Sequence, residues 1–564
     1  MLNGAFRSFS YAKVQNFNLM DQFGYAHELY RYSWANGIVL ISHGNGCAIL
    51  QKSLPKIREL KSKYSPSGIV FLMINANPQD SRESIEIASK EFGVETPILK
   101  DETQTIAKSL GIKRTAETYL INPKRWEILY HGPIDDRLGF GTERRTTTKN
   151  YLEDSIKSLI RGLKAPALNV ENKGCLIQYE KIGKKDETIS YTKDVVPILI
   201  GRCLPCHKQG GVAPWAMTSY KQVKGWSSMI EEVIKTKRMP PWHADPRYGK
   251  FENDRSLTLE EEKMLLAWIA SGSPRDGKED SLRNVGQREE EKWPLGKPDM
   301  ILTLPEIQKI PAKGVIDYRY FKIQPKLESD VWIRGAHLRP SNPKVLHHGF
   351  AFVEYLDHLQ EKEPKRKVGI DDFLAMSAPG RPIELLPQGT GMFLPKGATF
   401  RFELHYTATG KPETDCSELG LYFYHHSVPK ELRVKAVRNT AIEILPGARD
   451  HEVQASTLLE KDVLLYELFP HMHYRGIRMS LEAHYPNGHK EILLSVPRYD
   501  FKWQNVYRLA VPKKLPKGTK LVCVGAFDNS SDNPSNPDPS KTVRWGRQSS
   551  DEMFIGYFAY TEES

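Results

Sequence analysis

The stretch GIVLISHGNGCAILQKSLPKIRELKSKYSPSGIVFLMINA, residues 37–76, carries a clear alternation of secondary-structure patterns. Its two apolar runs, GIVLISHG and GIVFLMINA, are suited to buried parallel strands. Between the runs, four aliphatic residues recur at helical spacing: Ile49, Leu54, Ile57 and Leu60. This strand–helix–strand order predicts an α/β domain, which we place at residues 1–180.

Cys47 lies in this stretch at the predicted start of the helix, where the helix dipole favours a thiolate. The segments FNLMDQFGYAHEL and VLISHGNGCAIL resemble redoxin and peroxiredoxin-like domains, which implies a thioredoxin-like fold. The second cysteine of a CxxC motif is replaced by Leu50, and Ala116 stands where such domains usually have a cis-proline. Cys175 is a candidate partner of Cys47, either in a static disulfide or as a redox pair. A docking or scaffold role for the domain stays open.

From about Thr188 to Gly272 the pattern is helical, without strand-like alternation, and we place an all-α domain at residues 181–278. Thr258 and Glu261 form a capping box, and Gly272 followed by Pro274 ends that helix. The charged, turn-rich segment 279–297 is predicted to be a linker.

The sequence GRCLPCHKQGG contains a CxxCH motif. Cys203 and Cys206 supply thiols for thioether bonds to a porphyrin, and His207 supplies the iron ligand. Met239 is the preferred second axial ligand and His243 its rival. A redox dithiol or half of a zinc site is the alternative, but no second CxxC lies at zinc-ribbon spacing. The region resembles a small c-type cytochrome, which implies one covalently bound haem c.

From residue 298 onward, short β-rich segments alternate with turns. In FRFELHY, Phe400, Phe402, Leu404 and Tyr406 face one way, and Arg401, Glu403 and His405 face the other. We predict two antiparallel β-sandwiches, at 298–435 and 436–564. The expected fold is therefore multidomain: an α/β thioredoxin-like domain, an all-α cytochrome c-like domain and two all-β sandwiches.

Histidines are grouped in this β-rich half. Three segments carry them, VLHHGFAF, ELHYTATG and FPHMHYRG, with His347 and His348, His405, and His471 and His473. Residues two apart in a strand share a face, so His471 and His473 can bind one metal together. Imidazoles with the thioether of Met553 suit copper better than zinc or calcium. Each histidine taken alone is more often structural, and another adjacent pair, His425 and His426, is equally compatible with strand geometry.

The order HH, LHY, HxH and SSDEM resembles the copper type II monooxygenases, the peptidylglycine α-hydroxylating and dopamine β-monooxygenases, over residues 298–564. The resemblance implies two copper ions and hydroxylation of a C–H bond with O2. An electron-donating copper would lie on His347, His348 and His405, and an oxygen-binding copper on His471, His473 and Met553. Tyr557 matches a retained site tyrosine. His425 and His426 fall outside the pattern.

Two positions depart from that family. Phe469 replaces the arginine that holds a peptide carboxylate, and Ile555 replaces an asparagine. A phenyl ring cannot pair with a carboxylate, so a glycine-extended peptide is not expected as substrate. Cys416 and Cys523 match family cysteines whose usual partners are missing here, so they are either free or paired differently.

We hypothesise that the haem relays electrons within the chain to the first copper. A donor protein or a small reductant would supply electrons to the haem. O2 and an unidentified organic or peptide substrate are the expected reactants. A periplasmic copper-binding or electron-transfer protein and a thiol peroxidase using Cys47 are the alternatives.

The net charge of +11 is spread along the chain, so nucleic acid is not implied, and no run is apolar enough for a membrane span. Covalent haem predicts a periplasmic or otherwise extracytoplasmic protein, although no signal peptide is visible.

Overall fold

The structure is a computed structural model that describes most of the chain in two compact units. The described residues are 13–139, 142–144, 146–163, 172–180, 189–211, 213–277, 279–283, 292–293, 295–314, 316–354, 373–377, 385–426 and 430–563. The first unit comprises Met1–Ser190, Trp226–Met239 and Leu257–Pro274. The second comprises Tyr191–Gly225, Pro240–Ser256 and Arg275–Ser564.

The first unit contains a seven-stranded sheet. Its strands are β1 (Asn18–Met20), β2 (Ala26–Glu28), β3 (Gly37–His43), β4 (Ile69–Asn75), β5 (Ile98–Lys100), β6 (Thr118–Asn122) and β7 (Glu127–Gly132), followed by a small hairpin of β8 (Leu138–Gly139) and β9 (Thr142–Glu143). The sheet order is β2-β1-β5-β4-β3-β6-β7, with β3, β4 and β5 parallel and the remaining pairs antiparallel. The two apolar runs at 37–76 are therefore adjacent parallel strands, as predicted.

Helices cover both faces of this sheet. They are α1 (Ala48–Tyr64), α2 (Arg82–Phe92), α3 (Thr105–Leu110) and α4 (Tyr151–Ile160), with 3-10 turns at Leu29–Tyr32 and Ser65–Ser67. Val39 and Ile41 of β3 pack with Leu54 and Ile57 of α1, whereas Ile38 and Leu40 belong to a second cluster of buried side chains. Alternate side chains of β3 thus pack into two different hydrophobic cores. The predicted α/β fold of the N-terminal part is confirmed.

The helices of the central segment are divided between the units. They are α5 (Val196–Ile198), with π-type turns at Tyr191–Val195 and Leu199–Cys203, α6 (Tyr220–Gly225), α7 (Ser227–Lys235) and α8 (Leu259–Ala270). The predicted capping box at Thr258 and Glu261 begins α8. Because α7 and α8 belong to the first unit and α5 and α6 to the second, a separate all-α domain is not shown. No helix of the described residues is long and apolar enough to cross a membrane.

The rest of the second unit consists of β-sheets, which confirms the predicted β-rich half. Its strands are β10 (Met300–Thr303), β11 (Gln308–Ile310), β12 (Arg319–Ile323), β13 (Val331–Arg339), β14 (Leu346–Glu354), β15 (Phe373–Ser377), β16 (Thr390–Leu394), β17 (Thr399–Tyr406), β18 (Glu413–Asp415), β19 (Glu418–Phe423), β20 (Lys430–Glu431), β21 (Arg433–Arg438), β22 (Glu443–Ile444), β23 (His451–Leu458), β24 (Val463–Met472), β25 (Gly476–His484), β26 (Lys490–Val496), β27 (Tyr507–Leu515), β28 (Lys520–Phe527), β29 (Val543–Arg544) and β30 (Phe554–Glu562).

Four large sheets enclose two cores. Sheets β10-β19-β13-β16-β20 and β12-β17-β14-β15 share one cluster of buried side chains, which includes Ile333 and Leu421 from the first sheet and Phe400 and Val353 from the second. Sheets β21-β30-β24-β27 and β23-β28-β25-β26 share another. Two pairs of sheets, each around one core, form the layered arrangement of β-sandwiches. The predicted boundaries at 435 and 436 and in the central segment stay predictions.

Candidate functional site

Three of the predicted ligands converge at the paired strands β14 and β17. One ring nitrogen from each of His347, His348 and His405 lies within 4.8 Å of the others. Regular alternation would turn His347 and His348 to opposite faces. The register of β14 against β17 shifts between Leu346 and His348, and at this bulge the two rings lie 4.1 Å apart.

Two histidines of this triad, His348 and His405, are buried, and His347 is half-buried. Burial lowers the pKa of His347 to about 3 and that of His405 to about 4, and it lowers that of His348 well below the ordinary value. The Nδ1 atoms of His347 and His405 are buried and have no hydrogen-bond partner. A buried nitrogen without a partner is costly unless a ligand satisfies it. The residues therefore fit a metal ion, and neutral imidazole is the form that binds one.

A second cluster lies at the end of β24. The rings of His471 and His473 are 5.3 Å apart, and burial lowers the pKa of both, that of His471 to about 4. Met553 directly precedes β30, which pairs with β24, and it lines one cleft together with His471. The two imidazoles thus lie close together and Met553 lines the cleft beside His471, and imidazoles with a thioether are a soft donor set of the kind that suits copper.

Hydrogen bonds orient these two histidines. Nδ1 of His471 lies 2.7 Å from Oε1 of Gln504, and Nδ1 of His473 lies 3.2 Å from the carbonyl of Asp551. Glu552 is fully buried and accepts hydrogen bonds from the backbone N–H groups of His473 and Arg475. With Nδ1 of His471 donating to Gln504, its Nε2 keeps the lone pair that a metal needs.

A loop separates the two clusters. Nε2 of Gln504 lies 3.4 Å from Nδ1 of His348, so this amide contacts both clusters. The Phe501 ring lies 5.3 Å from that of His348 and 5.7 Å from that of His473. The two candidate centres therefore face each other across one glutamine and one phenylalanine.

Tyr557 lies beside the second cluster rather than among its metal donors. It is buried, and its ring stacks on Phe469 at 5.4 Å. Both residues line the cleft that His471 and Met553 share. The position that departs from the resembled family, Phe469, is therefore a wall of this cleft.

A pair of thiols forms a separate site in the first unit. Sγ of Cys47 lies 3.4 Å from Sγ of Cys175, and both cysteines are free thiols. Oγ1 of Thr115 lies 2.9 Å from Sγ of Cys47 and accepts a hydrogen bond from the backbone N–H of Cys175. The predicted pairing of Cys47 with Cys175 is geometrically possible, because a small movement would bring the two sulfur atoms to disulfide distance.

The electrostatics of the two thiols differ. Burial would raise the pKa of Cys47, but hydrogen bonds from Thr115 and the Leu50 N–H outweigh it and lower that pKa. Burial, followed by the neighbouring Cys47, raises the pKa of Cys175. Cys47, at the first turn of α1, is thus the more readily ionised nucleophile. Ala116, at the cis-proline position, has a φ of 59°.

The CxxCH motif starts at Cys203, the last residue of the π-type turn after α5. Cys203 and Cys206 form no disulfide, and Nδ1 of His207 lies 3.0 Å from the carbonyl of Trp215. A histidine held at Nδ1 by a carbonyl offers Nε2 to iron, so these residues fit haem attachment. Met239 belongs to the first unit and His207 to the second, and axial ligation by Met239 stays a prediction.

The remaining cysteines and histidines stay outside these sites. Cys416 and Cys523 are free, and Cys523 is fully buried beside Gly556. His425 is exposed and lies 3.4 Å from Asp299, and the neighbouring His426 is also exposed. The adjacent pair that strand geometry could not exclude is therefore a surface pair.

Comparison with known proteins identifies the N-terminal part of the chain. Residues 11–131 match the AhpC/TSA family. The chain has an N-terminal thioredoxin-like domain of the redoxin type, in agreement with the fold of its first unit. This match indicates oxidoreductase chemistry and does not extend to the β-rich half. No curated protein matches the chain.

Solved structures also match a part of the chain. A hypothetical protein SMc02350 from Sinorhizobium meliloti 1021 is 22% identical, with 31% of this chain and 97% of that chain covered and a TM-score of 0.29. Peroxidoxin BcpB from Mycobacterium tuberculosis is 17% identical, with coverages of 27% and 96% and a TM-score of 0.21. A putative thiol:disulfide interchange protein DsbE from Chlorobium tepidum is 16% identical, with coverages of 22% and 84% and a TM-score of 0.20.

Sequence reasoning missed several residues of the sites. Thr115, Gln504 and Glu552 contact predicted site residues but lie in no spacing pattern of their own. Glu552 had a usable signal, since an acid inside the short motif SSDEM next to a soft ligand suggests a supporting role. Gln504 had none, because its loop meets the histidines only through the packing of the sheets.

Proposed function

We propose that the β-rich half is a copper-dependent monooxygenase that uses O2 to hydroxylate a C–H bond of an organic substrate. The observation that carries the proposal is the convergence of His347, His348 and His405 into one cluster, with His348 and His405 buried, His347 half-buried and the pKa of all three imidazoles lowered. These residues would hold one copper ion, and His471, His473 and Met553 would hold a second. When bound, copper supplies the one-electron chemistry that O2 activation requires.

The residues around the clusters have distinct tasks in this proposal. Gln504 and the Asp551 carbonyl orient the rings of His471 and His473. Phe469 and Tyr557 stack to form an aromatic wall beside the cluster of His471 and His473. In this proposal, the wall keeps water from the reacting carbon. Hydroxylation with O2 also consumes two electrons, so the site needs an electron donor.

A haem attached to Cys203 and Cys206 is the donor that we propose within the chain. The support is the CxxCH motif together with the carbonyl contact at Nδ1 of His207. Covalent haem is assembled outside the cytoplasm, so we expect an extracytoplasmic protein. A donor protein or a small reductant would supply electrons to the haem.

Counting bound copper tests the central claim. Protein from a haem-maturing host should bind two copper ions, and His347→Ala should bind one, because removing one of three ligands opens that centre. His426→Ala is the matched control, since this exposed histidine lies outside both clusters, and it should still bind two. A wild-type protein that binds no copper would refute the proposal. Two bound coppers without substrate-dependent O2 uptake would instead indicate a copper-binding or electron-transfer protein.

The first unit supports a second candidate function, thiol-based peroxide reduction or disulfide exchange. The AhpC/TSA match and the 3.4 Å between the sulfurs of Cys47 and Cys175 favour it. The Cys47 thiolate would attack the peroxide oxygen and release an alcohol or water, and Cys175 would then displace water to form a disulfide. Cys47→Ser should abolish peroxide consumption if this activity exists. Unchanged consumption in that variant would rule it out.

A further inference from the structure

We propose that the strap, which we define as residues 240–254, carries electrons from the haem motif to the loop of Gln504. The link between strap and loop is the hydrogen bond that Asn505 donates to the carbonyl of Pro241. The inference rests on the proposed function, because it assigns a path to the electrons that a haem in this chain would supply.

The strap is held along the edge of the second β-sandwich. Strand β27 is the last strand of the sheet β21-β30-β24-β27, and the strap adds backbone hydrogen bonds beyond it. The Ala510 N–H donates to the carbonyl of Lys250 at 2.8 Å, and the Glu252 N–H donates to that of Arg508 at 3.0 Å. The strap and the histidine clusters therefore belong to the same compact unit.

Aromatic side chains anchor the strap to the sandwich. Trp242 is buried in the hydrophobic core of the second sandwich. Its ring lies 4.7 Å from that of Tyr507 and 6.0 Å from that of Phe251, and the Phe251 and Tyr507 rings are 5.4 Å apart. Rings at these separations pack directly against each other, so buried apolar surface fixes the position of the strap.

The Asn505 side chain connects the strap to the loop between the two histidine clusters. It is buried, and its Nδ2 donates to the Pro241 carbonyl at 2.8 Å. Asn505 directly follows Gln504 in the chain. The Gln504 amide lies 2.7 Å from Nδ1 of His471 and 3.4 Å from Nδ1 of His348. Electrons pass more readily through bonded atoms than across empty space, and here one hydrogen bond and one amide contact join Pro241 to either cluster.

The other end of the strap reaches the haem motif. Nη1 of Arg202, immediately before the CxxCH motif, donates to the carbonyl of Asp254 at 3.4 Å. Burial raises the pKa of both Cys206 and Tyr507, and in each case the positive charge of Arg255 opposes the rise. The guanidinium of Arg255 is therefore near the haem motif and near the aromatic cluster of the strap.

Both candidate second ligands of a haem iron are close to the link in the chain. Met239 directly precedes the strap, and His243 lies within it. Pro241 is therefore two residues from each candidate. The path from Pro241 to the histidine clusters is the same whichever of the two binds iron.

Electron transfer within the full-length protein, loaded with haem and copper, tests this path. The copper is oxidised, the haem is reduced in a laser flash without O2 or substrate, and the haem absorbance is followed. Each ferrous haem that is oxidised should reduce one cupric ion, which electron paramagnetic resonance counts. Asn505→Leu should slow haem reoxidation by roughly 10- to 100-fold, since it breaks the link and a misplacement of about 1 Å can cost that much. Asn505→Ala is the second variant, for the case that the first does not fold.

Asn253→Leu is the matched control. Nδ2 of Asn253 also donates from the strap to a loop carbonyl at 2.8 Å, that of Val506, which is farther along the chain from Gln504. This variant should transfer electrons at the wild-type rate. Copper affinity and the reduction potentials of haem and copper should keep their wild-type values in all variants. The path is overturned if Asn505→Leu transfers electrons like the wild type, if Asn253→Leu is slowed equally, or if altered potentials or copper affinity explain the loss.

The outcomes also separate this path from the proposed function. Wild-type transfer in the Asn505 variants would refute the path and leave the haem as the electron donor. A wild-type haem that does not reduce the bound copper would refute the haem as the donor, and the path with it.

Discussion

Gln504 and Thr115 are single side chains that hold predicted site residues in place. Gln504 is almost fully buried and contacts Nδ1 of both His471 and His348. Thr115 accepts a hydrogen bond from the Cys175 N–H, so its own hydroxyl proton is available to Sγ of Cys47. Gln504 acts through the histidine rings, and Thr115 acts through the Cys47 thiol. Each can be replaced without removing the group that it orients.

Gln504→Leu should weaken copper binding at the second cluster by roughly 10- to 100-fold, because His471 loses the contact that sets its tautomer. Competition with a copper(I) chelator measures the affinity, and electron paramagnetic resonance of the oxidised protein reports the geometry. Gln454→Leu is the control, since this glutamine is exposed on β23. Wild-type affinity and spectra in Gln504→Leu would show that the amide does not orient His471.

Thr115→Val should raise the pKa of Cys47 and slow its alkylation near neutral pH, since the thiolate loses a hydrogen bond. The rate of iodoacetamide labelling as a function of pH measures that pKa. Thr118→Val is the control, because its hydroxyl bonds to the Gly132 carbonyl instead. An unchanged labelling profile in Thr115→Val would exclude a role for this hydroxyl.

Short structural elements set the chemistry of the residues at their ends. The bulge in β14 directs two consecutive histidines toward one point. Directly after β5, the fully buried Asp101 accepts hydrogen bonds from the Ala107 N–H in the first turn of α3 and from the Thr103 hydroxyl. Burial is the largest effect on this carboxyl group, and it raises its pKa from 3.8 to about 6.

Asp101 should make the stability of the first unit depend on pH. The folded state holds its proton up to about pH 6, whereas the unfolded state loses it near 3.8. The contribution is therefore complete below pH 3.8 and is lost as the pH rises through about 6, by roughly 3 kcal/mol at most. Hydrogen exchange of β4 and β5 amides between pH 4 and 7 measures it.

Asp101→Asn should remove this pH dependence, because the amide keeps an acceptor oxygen but does not titrate. Glu102→Gln is the matched control, since the neighbouring carboxylate is largely exposed and should leave the wild-type profile unchanged. A wild-type profile in Asp101→Asn would assign the pH dependence to another group.

At the scale of the whole molecule, the thiol pair and the histidine clusters belong to different compact units. Groups that share no partners usually make independent contributions. Cys47→Ser and Cys175→Ser should therefore leave the copper count and affinity at wild-type values. His347→Ala should likewise leave the alkylation rate of Cys47 unchanged. A change of tenfold or more in either direction would show that the two sites are coupled.

Several features of the fold follow from short sequence patterns. The strands β3 and β4, helix α1 and the capping box of α8 lie where spacing and polarity predict them. The alternation of β17 is also observed, since Phe400, Phe402 and Leu404 are in the core. The separate all-α domain is not shown, because a helical pattern does not tell which body the helix packs against.

Local patterns were sufficient for the N-terminal α/β fold, the β-rich half and the residue types that suit copper and haem, because periodicity and ligand chemistry are properties of neighbours in the chain. Strand geometry could not choose between His347 with His348 and His425 with His426, and the family resemblance favoured the first pair; the tertiary structure supplies the physical difference, a bulge and burial. It also brought Gln504 to histidines far away in sequence. Strand pairing over long separations determines which side chains meet, and no short segment encodes that pairing.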